Sequence, residues 1–333
     1  MKEFHIQSNK PGHRFDKHLK KLLNAANTSF INKMIRKKNI VLNGKKADGT
    51  EKLNVGDEVK LFLSDETFDK FHGAAQNTRQ FKAYAQIPAK KLDVVYEDED
   101  VIIINKPVGM LSQKAKPEDI SANEYIIAYL LQSGALTQET LNTFKPSICN
   151  RLDRNTSGLL IAGKTLKGLQ EMSEALKKRG SEHSVQKYYR CIVKGELKES
   201  CYLKGYLSND EKTNKVSVYR EIPRTLAEKG EEFLPIETEY KPITCINGYT
   251  ELEVHLITGR SHQIRAHLAS IGHPIVGDTK YGKTEVNELF RKQIRLQSQL
   301  LHAYRIEFED GKTVTAPVTK KYEQAWEYIL SKI

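Results

Sequence analysis

Short runs of β-branched and aliphatic residues recur through the middle of the chain, and no helical pattern separates them at regular intervals. They begin at Leu92, Val101, Leu159, Tyr189 and Leu252. In the last run, apolar and polar residues alternate, as in a strand with one buried face. Regular strand–helix alternation would predict a doubly wound parallel sheet, whereas this order favours an α+β fold.

Length and composition limit the class of protein. A chain of 333 residues fits one large domain or two smaller ones. No apolar run approaches the roughly 20 residues that span a bilayer, and the first residues lack the apolar core of a signal peptide. None of the four cysteines forms a C-x-x-C pair, so neither a zinc knuckle nor a disulfide scaffold is expected. We therefore expect a cytoplasmic protein with reduced thiols and no membrane partner.

Positive charge is concentrated near the N-terminus. Lys and Arg outnumber Asp and Glu by 53 to 42, a net charge of +11, and residues 1–65 hold 14 against 7, a net +7. Such an excess favours a polyanionic partner, and nucleic acid is the first candidate. The alternative is that the chain is basic without having a polyanionic partner.

Residues 1–65 read as a small domain. Phe15, Leu19, Leu22 and Leu23 share one face of a predicted helix, and Thr28 is a candidate N-cap of a second, strongly basic helix. A short strand then enters a hairpin turn at Asn43-Gly44. Residues 66–90 show no clean period and are predicted to be a linker, and residues 91–333 form the second predicted domain.

A polar turn precedes the apolar run at Leu159. In it, Asp153 lies between Arg151 and Arg154, whose charge favours the ionised carboxylate. The alternative is a turn carboxylate that bonds its own backbone. Residues 158–165 also match G-x-x-x-x-G-K-T, the pattern of a phosphate loop. Because the four intervening residues are apolar, we interpret this match as a strand, although an NTP-dependent enzyme stays an alternative.

Two further segments carry polar residues that a core does not explain. Tyr189 begins a predicted strand, where packing is its ordinary role. In the segment 256–282, a strand, a Gly turn and a helix capped by Ser261 place Arg260 at the mouth of that helix. His262, His267 and His273 are spaced five and six residues apart, which does not fit the i, i+4 pairing of a helical zinc site, so no metal is expected.

These segments together resemble the RluA-like family of RNA pseudouridine synthases. Arg-Leu-Asp-Arg-Asn-Thr-Ser-Gly-Leu at 151–159 resembles the family signature, and Lys187 with Tyr189 and Thr258-Gly-Arg-Ser-His-Gln-Ile-Arg at 258–265 resemble two further blocks. The likeness covers about residues 90–325. Asn150 departs from the pattern, because many members have His there. Residues 1–65 resemble an S-four-type RNA-binding domain, named after a small-subunit ribosomal protein.

The resemblance implies a mixed, largely antiparallel sheet and the isomerisation of uridine to pseudouridine within RNA, a reaction that needs no cofactor or metal. Asp153 would act on the ribose as a nucleophile or as a base. Arg260 would pair with Asp153, and Arg151 would fill the stack left by the flipped base. Tyr189 would pack near the uracil and help remove the C5 proton after reattachment.

The resemblance also implies RNA as the partner of a protein that we expect to be a monomer. The candidate RNA-binding residues of the basic domain are Arg14, Lys33, Arg36, Lys37, Lys38 and Lys45. Their alternative role is a solvated face. Large-subunit ribosomal RNA is the expected target. A transfer RNA pseudouridine synthase and an inactive RNA-binding ribosome assembly factor are the alternatives.

Overall fold

The chain folds into two compact units, Met1–Gln86 (unit 1) and Ile87–Ile333 (unit 2). The structure is a computed structural model and describes residues 1–6, 14–72, 81–88, 92–178, 184–210, 213 and 215–332. Among these residues, no helix combines the length and the apolar character that a bilayer crossing requires.

Unit 1 packs helices against a four-stranded sheet in the order β1-β4-β2-β3. The strands are β1 (Lys2–His5), β2 (Ile40–Leu42), β3 (Lys45–Lys46) and β4 (Glu58–Leu61), and the helices are α1 (Phe15–Leu22), α2 (Thr28–Arg36), α3 (Asp65–His72) and α4 (residues 81–85). Phe15 and Leu19 of α1 are buried with Ile31 and Ile35 of α2 in one core. The two helices therefore use the apolar faces that their periodicity predicts.

Two local details of unit 1 can be compared with the sequence. Both turn residues of the β2–β3 hairpin have positive φ, 49° at Asn43 and 71° at Gly44, which this residue pair tolerates best. The predicted hairpin is therefore confirmed. The N-cap of α2 is Asn27, one residue before the predicted Thr28. Asn27 has an extended backbone, and its side chain accepts a hydrogen bond from the Phe30 amide at 2.8 Å.

The predicted linker over residues 66–90 is helical in part. Asp65–His72 forms α3, and Phe68 is buried in the unit 1 core, where its ring stacks on Phe4 at 5.9 Å between centroids. The buried aromatic ring makes this interval part of unit 1, and the division between units falls after Gln86. The sequence missed this because one aromatic residue in a polar stretch gives no helical period.

Unit 2 is built on a large sheet in the order β11-β10-β12-β13-β9-β14-β8-β6-β5, with β15 paired to β14 and β7 to β8. The strands are β5 (Val94–Glu97), β6 (Val101–Lys106), β7 (Ser147–Ile148), β8 (Ser157–Gly163), β9 (Gln186–Lys194), β10 (Cys201–Asp210), β11 (Lys215–Tyr219), β12 (Leu234–Ile246), β13 (Tyr249–Leu256), β14 (Leu301–Glu307) and β15 (Thr313–Thr315). Only β14 and β8 pair in parallel among the described strands. The predicted α+β class with a largely antiparallel sheet is confirmed.

The helices of unit 2 lie at the edges and on the faces of this sheet. They are α5 (Ala122–Gln132), α6 (Gln138–Thr143), α7 (Leu166–Ala175), α8 (Arg224–Ala227), α9 (Gln263–Ser270), α10 (Thr284–Ile294) and α11 (Lys320–Leu330). Phe290 of α10 and Ile329 of α11 pack with Ile192 of β9. Because Tyr189 lies three residues before Ile192, its side chain points to the opposite face of the sheet.

The pairing of β8 with β14 depends on Gly158. This residue has φ +111°, and a Cβ atom there would lie 2.2 Å from the carbonyl oxygen of Ala303. Only glycine allows so close an approach of two backbones. Every residue of β8 is buried, so residues 158–163 of the segment that matches a phosphate loop form a core strand. Lys164, which follows the strand, pairs with Glu97 at 2.7 Å.

Candidate active site

Asp153 lies in the loop between β7 and β8 and is held there by an arginine. Arg265 Nη1 donates to Asp153 Oδ2 at 2.7 Å, and the Asp153 side chain is 26% exposed. Oδ1 has no hydrogen-bond partner among the described residues. One carboxylate oxygen is therefore fixed and the other is left for a ligand.

Arg265 is itself held by a second carboxylate, Asp278. Its Nε and Nη2 donate to the two oxygens of Asp278 at 2.7 and 2.9 Å, a two-point contact that fixes the guanidinium plane. Burial alone would raise the pKa of Asp278, but the Arg265 hydrogen bonds and charge hold that pKa below its usual range. Burial opposes the charge of Arg265 as well, yet the two carboxylates raise its pKa. Asp278 and Arg265 thus stay charged, and Asp153 completes a triad with them through its hydrogen bond from Arg265 Nη1.

The predicted partnership of Arg260 with Asp153 is wrong. Arg265 occupies the predicted place, and Arg260 makes no ion pair with any described residue, while its Nε is buried without a hydrogen-bond partner. The physical reason is the start of α9. The helix begins at Gln263, with His262 rather than Ser261 as N-cap, so Arg265 lies inside the buried first turn and Arg260 in the loop before it.

Tyr189 is where the sequence placed it, on β9 and at the wall of the site. It is 5% exposed and pairs with Val254 and Ala303 on the two neighbouring strands. Burial and the negative charge of Asp153 raise the pKa of its phenol. The group therefore stays protonated at neutral pH, and its phenolate is less available as a base than that of an ordinary tyrosine, which favours its packing role.

A buried lysine that the sequence did not single out ties the Asp153 loop to the end of β6. Lys106 Nζ donates to the carbonyl oxygens of Pro107, Met110 and Arg154 at 3.1, 2.8 and 3.2 Å. Burial lowers its pKa to about 7, although the charge of Asp153 opposes that shift. Ser112 adds a second tie, because its hydroxyl donates to the carbonyl oxygen of Leu152 at 2.7 Å.

Arg151 and Asn150 lie in the same loop, before Asp153. Arg151 is exposed, as expected for a residue that contacts RNA. Asn150 replaces the usual His and bonds the neighbouring strand: its Oδ1 accepts from Ile161 N at 2.8 Å, and its Nδ2 donates to Leu159 O at 3.4 Å. The substitution therefore anchors the loop to β8.

The three histidines considered for a metal have separate partners. His262 Nδ1 lies 3.0 Å from Tyr281 Oη, His267 Nδ1 is 3.1 Å from Thr238 Oγ1, and His273 Nδ1 is 3.1 Å from the carbonyl oxygen of Lys194. Burial lowers the pKa of His267 to about 4, so its ring is neutral. The described residues do bring Glu3, His5 and Glu58 together on unit 1, but Lys60 pairs with both carboxylates there.

A cavity of about 510 Å³ opens beside Asp153. Its described lining has one acidic side chain, Asp153, and six basic ones, namely Lys114, Arg151, Arg154, Lys187, Arg260 and Arg265. A concave site of this size holds a small ligand, and its excess of cations suits an anionic chain. Asp153, Tyr189, Arg260 and Arg151, all predicted as site residues, meet at this cavity.

The remaining predicted RNA-binding residues lie on unit 1. Lys33, Arg36, Lys37 and Lys38 are exposed at the end of α2 and form no ion pair with a described residue, and Lys45 is exposed on β3. Arg14 differs, because its guanidinium binds Asp16 through Nε at 3.1 Å and Nη2 at 2.9 Å. The end of α2 therefore presents four exposed cations without ion-pair partners among the described residues.

Known proteins resemble the chain in sequence and in fold. A family model for RNA pseudouridylate synthases matches residues 100–270. The ribosomal large subunit pseudouridine synthase D of Nitrosomonas europaea is 27% identical over 306 residues, which cover 92% of this chain and 79% of the relative. The ribosomal large subunit pseudouridine synthase C of Rickettsia bellii is 32% identical over 280 residues, covering 82% of this chain and 84% of the relative.

A solved structure, human RNA pseudouridylate synthase domain containing 4, aligns with a TM-score of 0.55 and 16% identity over 77% of this chain and 97% of that one. At this identity the likeness supports the fold alone. The matched segment 100–270 is over half of the chain and contains Asp153, Tyr189 and Arg265. The chain belongs to the RNA pseudouridylate synthase family, as an RluA-type RNA pseudouridine synthase.

Proposed function

We propose that the protein converts uridine to pseudouridine in large-subunit ribosomal RNA, with Asp153 as the group that acts on the ribose. The observation that carries the proposal is the half-bound carboxylate of Asp153 in a cationic cavity, with Oδ2 on Arg265 and Oδ1 without a partner among the described residues. The relatives named for the large ribosomal subunit favour this target over transfer RNA and over an inactive assembly factor.

In this proposal each residue has a separate task. Arg265 orients Asp153 through a charge-assisted hydrogen bond, and Tyr189 forms the wall against which the uracil packs. Arg151 is exposed beside the cavity and fills the stack that the extruded base leaves. The glycosidic bond to N1 breaks, the uracil turns, and its C5 joins the ribose carbon; the C5 proton is lost to solvent, and N1 takes up a proton in exchange. No atom of a second substrate is consumed.

The target is tested with unmodified transcripts of large-subunit ribosomal RNA and of transfer RNAs, each incubated with purified protein. Pseudouridine is mapped by reverse-transcription stops after carbodiimide treatment. We expect new stops in the large-subunit transcript alone, and none with Asp153→Asn protein. New stops confined to transfer RNA would contradict the proposed target while leaving the reaction in place.

We further propose that unit 1 is an S-four-type RNA-binding domain. Two short helices packed on a small sheet, the Asn43-Gly44 hairpin and the basic end of α2 support this proposal. Exposed lysines without ion-pair partners contact phosphates well, because no internal bond must break first. Such contacts add affinity rather than sequence recognition.

The basic end of α2 is tested in the full chain by replacing Lys33, Lys37 and Lys38 with Gln. Each lost phosphate contact should make the slope of log affinity against log salt shallower by about 0.7–0.9, so we expect a change of up to roughly 2–3. KM should rise more than kcat falls, because these contacts are the same in the ground and transition states. Affinity for a large-subunit transcript is measured by filter binding at several salt concentrations.

A matched control replaces three exposed lysines of unit 2 with Gln: Lys283, Lys292 and Lys320. These residues lie at or in α10 and α11, which pack on the sheet face opposite Tyr189. The charge change is the same in both variants. If the slope of log affinity against log salt is the same in the α2 variant and in the control variant, the α2 lysines are only a solvated face.

A further inference from the structure

His262 has a backbone conformation that is uncommon for residues other than glycine. It is the N-cap of α9 with φ +57° and ψ +10°, in the left-handed region where a side chain with a Cβ atom is strained. Its side chain is 12% exposed and lines the cavity beside Asp153. Strain of this kind persists only where surrounding contacts hold it, and such positions cluster at functional sites.

A short chain of hydrogen bonds fixes the tautomer of this ring. The backbone amide of Val216 donates to Tyr281 Oη at 2.9 Å, and Tyr281 Oη lies 3.0 Å from His262 Nδ1. The described residues offer the Tyr281 hydroxyl no other acceptor, so it donates to Nδ1. A neutral ring whose Nδ1 accepts must carry its proton on Nε2. The Tyr281 ring also packs edge-on against the imidazole, at 5.8 Å between centroids.

Burial is the main reason that His262 stays neutral. Burial lowers its pKa below the usual value, and the positive charges of Arg265 and Lys280 act in the same direction, while those of Asp153 and Asp278 oppose them. Tyr281 adds no charge, because burial raises the pKa of its phenol. At neutral pH the ring therefore offers one neutral donor, Nε2–H.

That donor has no acceptor within hydrogen-bond distance in the described protein. His262 Nε2 lies 3.9 Å from Asp153 Oδ2, too far for a hydrogen bond, and Oδ2 already accepts from Arg265. A ligand atom bound against Asp153 would lie within reach of the same nitrogen. The ribose is the part of the target nucleotide on which Asp153 acts in the proposed reaction.

We propose that His262 is a further substrate-binding residue, whose Nε2–H donates to a ribose oxygen of the target uridine, and that Tyr281 is a positioning residue that holds His262 in the required tautomer. This inference rests on the proposed function, since it assumes a ribose beside Asp153. The Val216 amide, the Tyr281 hydroxyl and the imidazole of His262 then form a chain of hydrogen bonds that ends at the substrate, and we call this chain the relay.

Two variants of His262 separate hydrogen bonding from packing. Gln and Leu have similar size and carry similar backbone strain at φ +57°, but only Gln has an N–H that can replace Nε2–H. We expect kcat/KM, measured by tritium release from C5-labelled RNA, to fall about tenfold in His262→Leu and clearly less in His262→Gln. Melting temperatures monitor the fold. Equal losses in the two variants would overturn the hydrogen-bond role.

Tyr281→Phe tests the relay. We expect a loss of about threefold in kcat/KM, and the double variant with His262→Leu should be no slower than His262→Leu alone, because both changes remove one unit. Additive losses would contradict the relay.

The tautomer itself is read without any RNA. In a proton–nitrogen correlation spectrum of the free wild-type protein, His262 should show a protonated Nε2 and an unprotonated Nδ1, and Tyr281→Phe should mix the two forms. A protonated Nδ1 in the wild type would overturn the inference even if the enzyme is active. Conversely, an inactive wild type with the expected tautomer would count against the proposed function and not against the relay.

Discussion

Asp153→Asn protein should bind RNA and release no tritium from C5-labelled uridine above background, a loss of at least about 10³-fold in kcat. The amide keeps the shape of the carboxylate and can still accept from Arg265, but it supplies neither a nucleophile nor a base to the ribose. Phosphate contacts are made by other side chains, so affinity should change little. Release of tritium is the suitable readout because substrate and product have the same mass.

A matched control for this variant is Asp310→Asn, which makes the same chemical change at an exposed turn. It should retain wild-type turnover and affinity. Filter binding to the same RNA shows whether Asp153→Asn protein reaches its substrate. Turnover within about tenfold of wild type in the Asp153 variant would remove this residue from the reaction.

Arg265→Met should damage stability and turnover together. The change leaves Asp278 buried, with no exposed surface, and without its charged partner. Breaking a buried ion pair on one side costs about 3–5 kcal/mol. Asp153 also loses the 2.7 Å ion pair that orients its carboxylate, so turnover should fall severely as well. Arg265→Lys should recover part of the stability, because the ammonium restores a positive charge beside Asp278. The recovery should be incomplete, because one ammonium cannot make the two-point contact to Asp278 and reach Asp153 too.

The pH dependence of this loss follows from Asp278. In the wild type its pKa is held below the usual range, so its ionised form contributes to stability above that range and the contribution is lost as the pH falls. In Arg265→Met, burial acts unopposed and raises the pKa of Asp278. The buried negative charge of Asp278 therefore destabilises the fold most at neutral pH. The difference in unfolding free energy between wild type and variant should therefore shrink from pH 7 to about pH 4. Urea titrations at several pH values measure it.

Two further variants separate structure from chemistry. Arg265→Met combined with Asp278→Asn removes both charges and should recover much of the stability at pH 7, while turnover stays low because Asp153 still lacks its arginine. Arg260→Met is the matched control for stability, since Arg260 lines the same cavity but makes no ion pair with a described residue. A stable and active Arg265→Met protein would mean that the triad neither supports the fold nor orients Asp153.

The sequence predicted much of the fold because local patterns determine it. The helix faces of Phe15 and Leu19, the Asn43-Gly44 turn and the buried strands at Val101 and Leu159 each follow from a few neighbouring residues. It failed at α3, where a single ring, Phe68, provides the packing. The order of strands in the sheet was not predictable, because β8 and β14 are separated by more than 130 residues.

At the site, residue types were easier to predict than partners. Asp153 and Tyr189 were found, but Arg260 was chosen over Arg265 although both lie in the same eight-residue block. The choice depends on where α9 begins and on Asp278, thirteen residues further along the chain. One signal was present: Arg265 lies directly between Ile264 and Ala266 in a predicted helix, and a buried guanidinium requires a carboxylate.

The insertion of β14 between β8 and β9 sets an order of events during protein synthesis. Asp153 precedes β8 and Tyr189 lies on β9, so the wall that joins them is incomplete until residues 301–307 have been made. At about 5–20 residues per second, the roughly 150 residues from Asp153 to the end of β14 take about 8–30 s to synthesise. Unit 1 is complete by Gln86. A nascent chain can thus acquire its proposed RNA-binding unit well before it can modify any uridine.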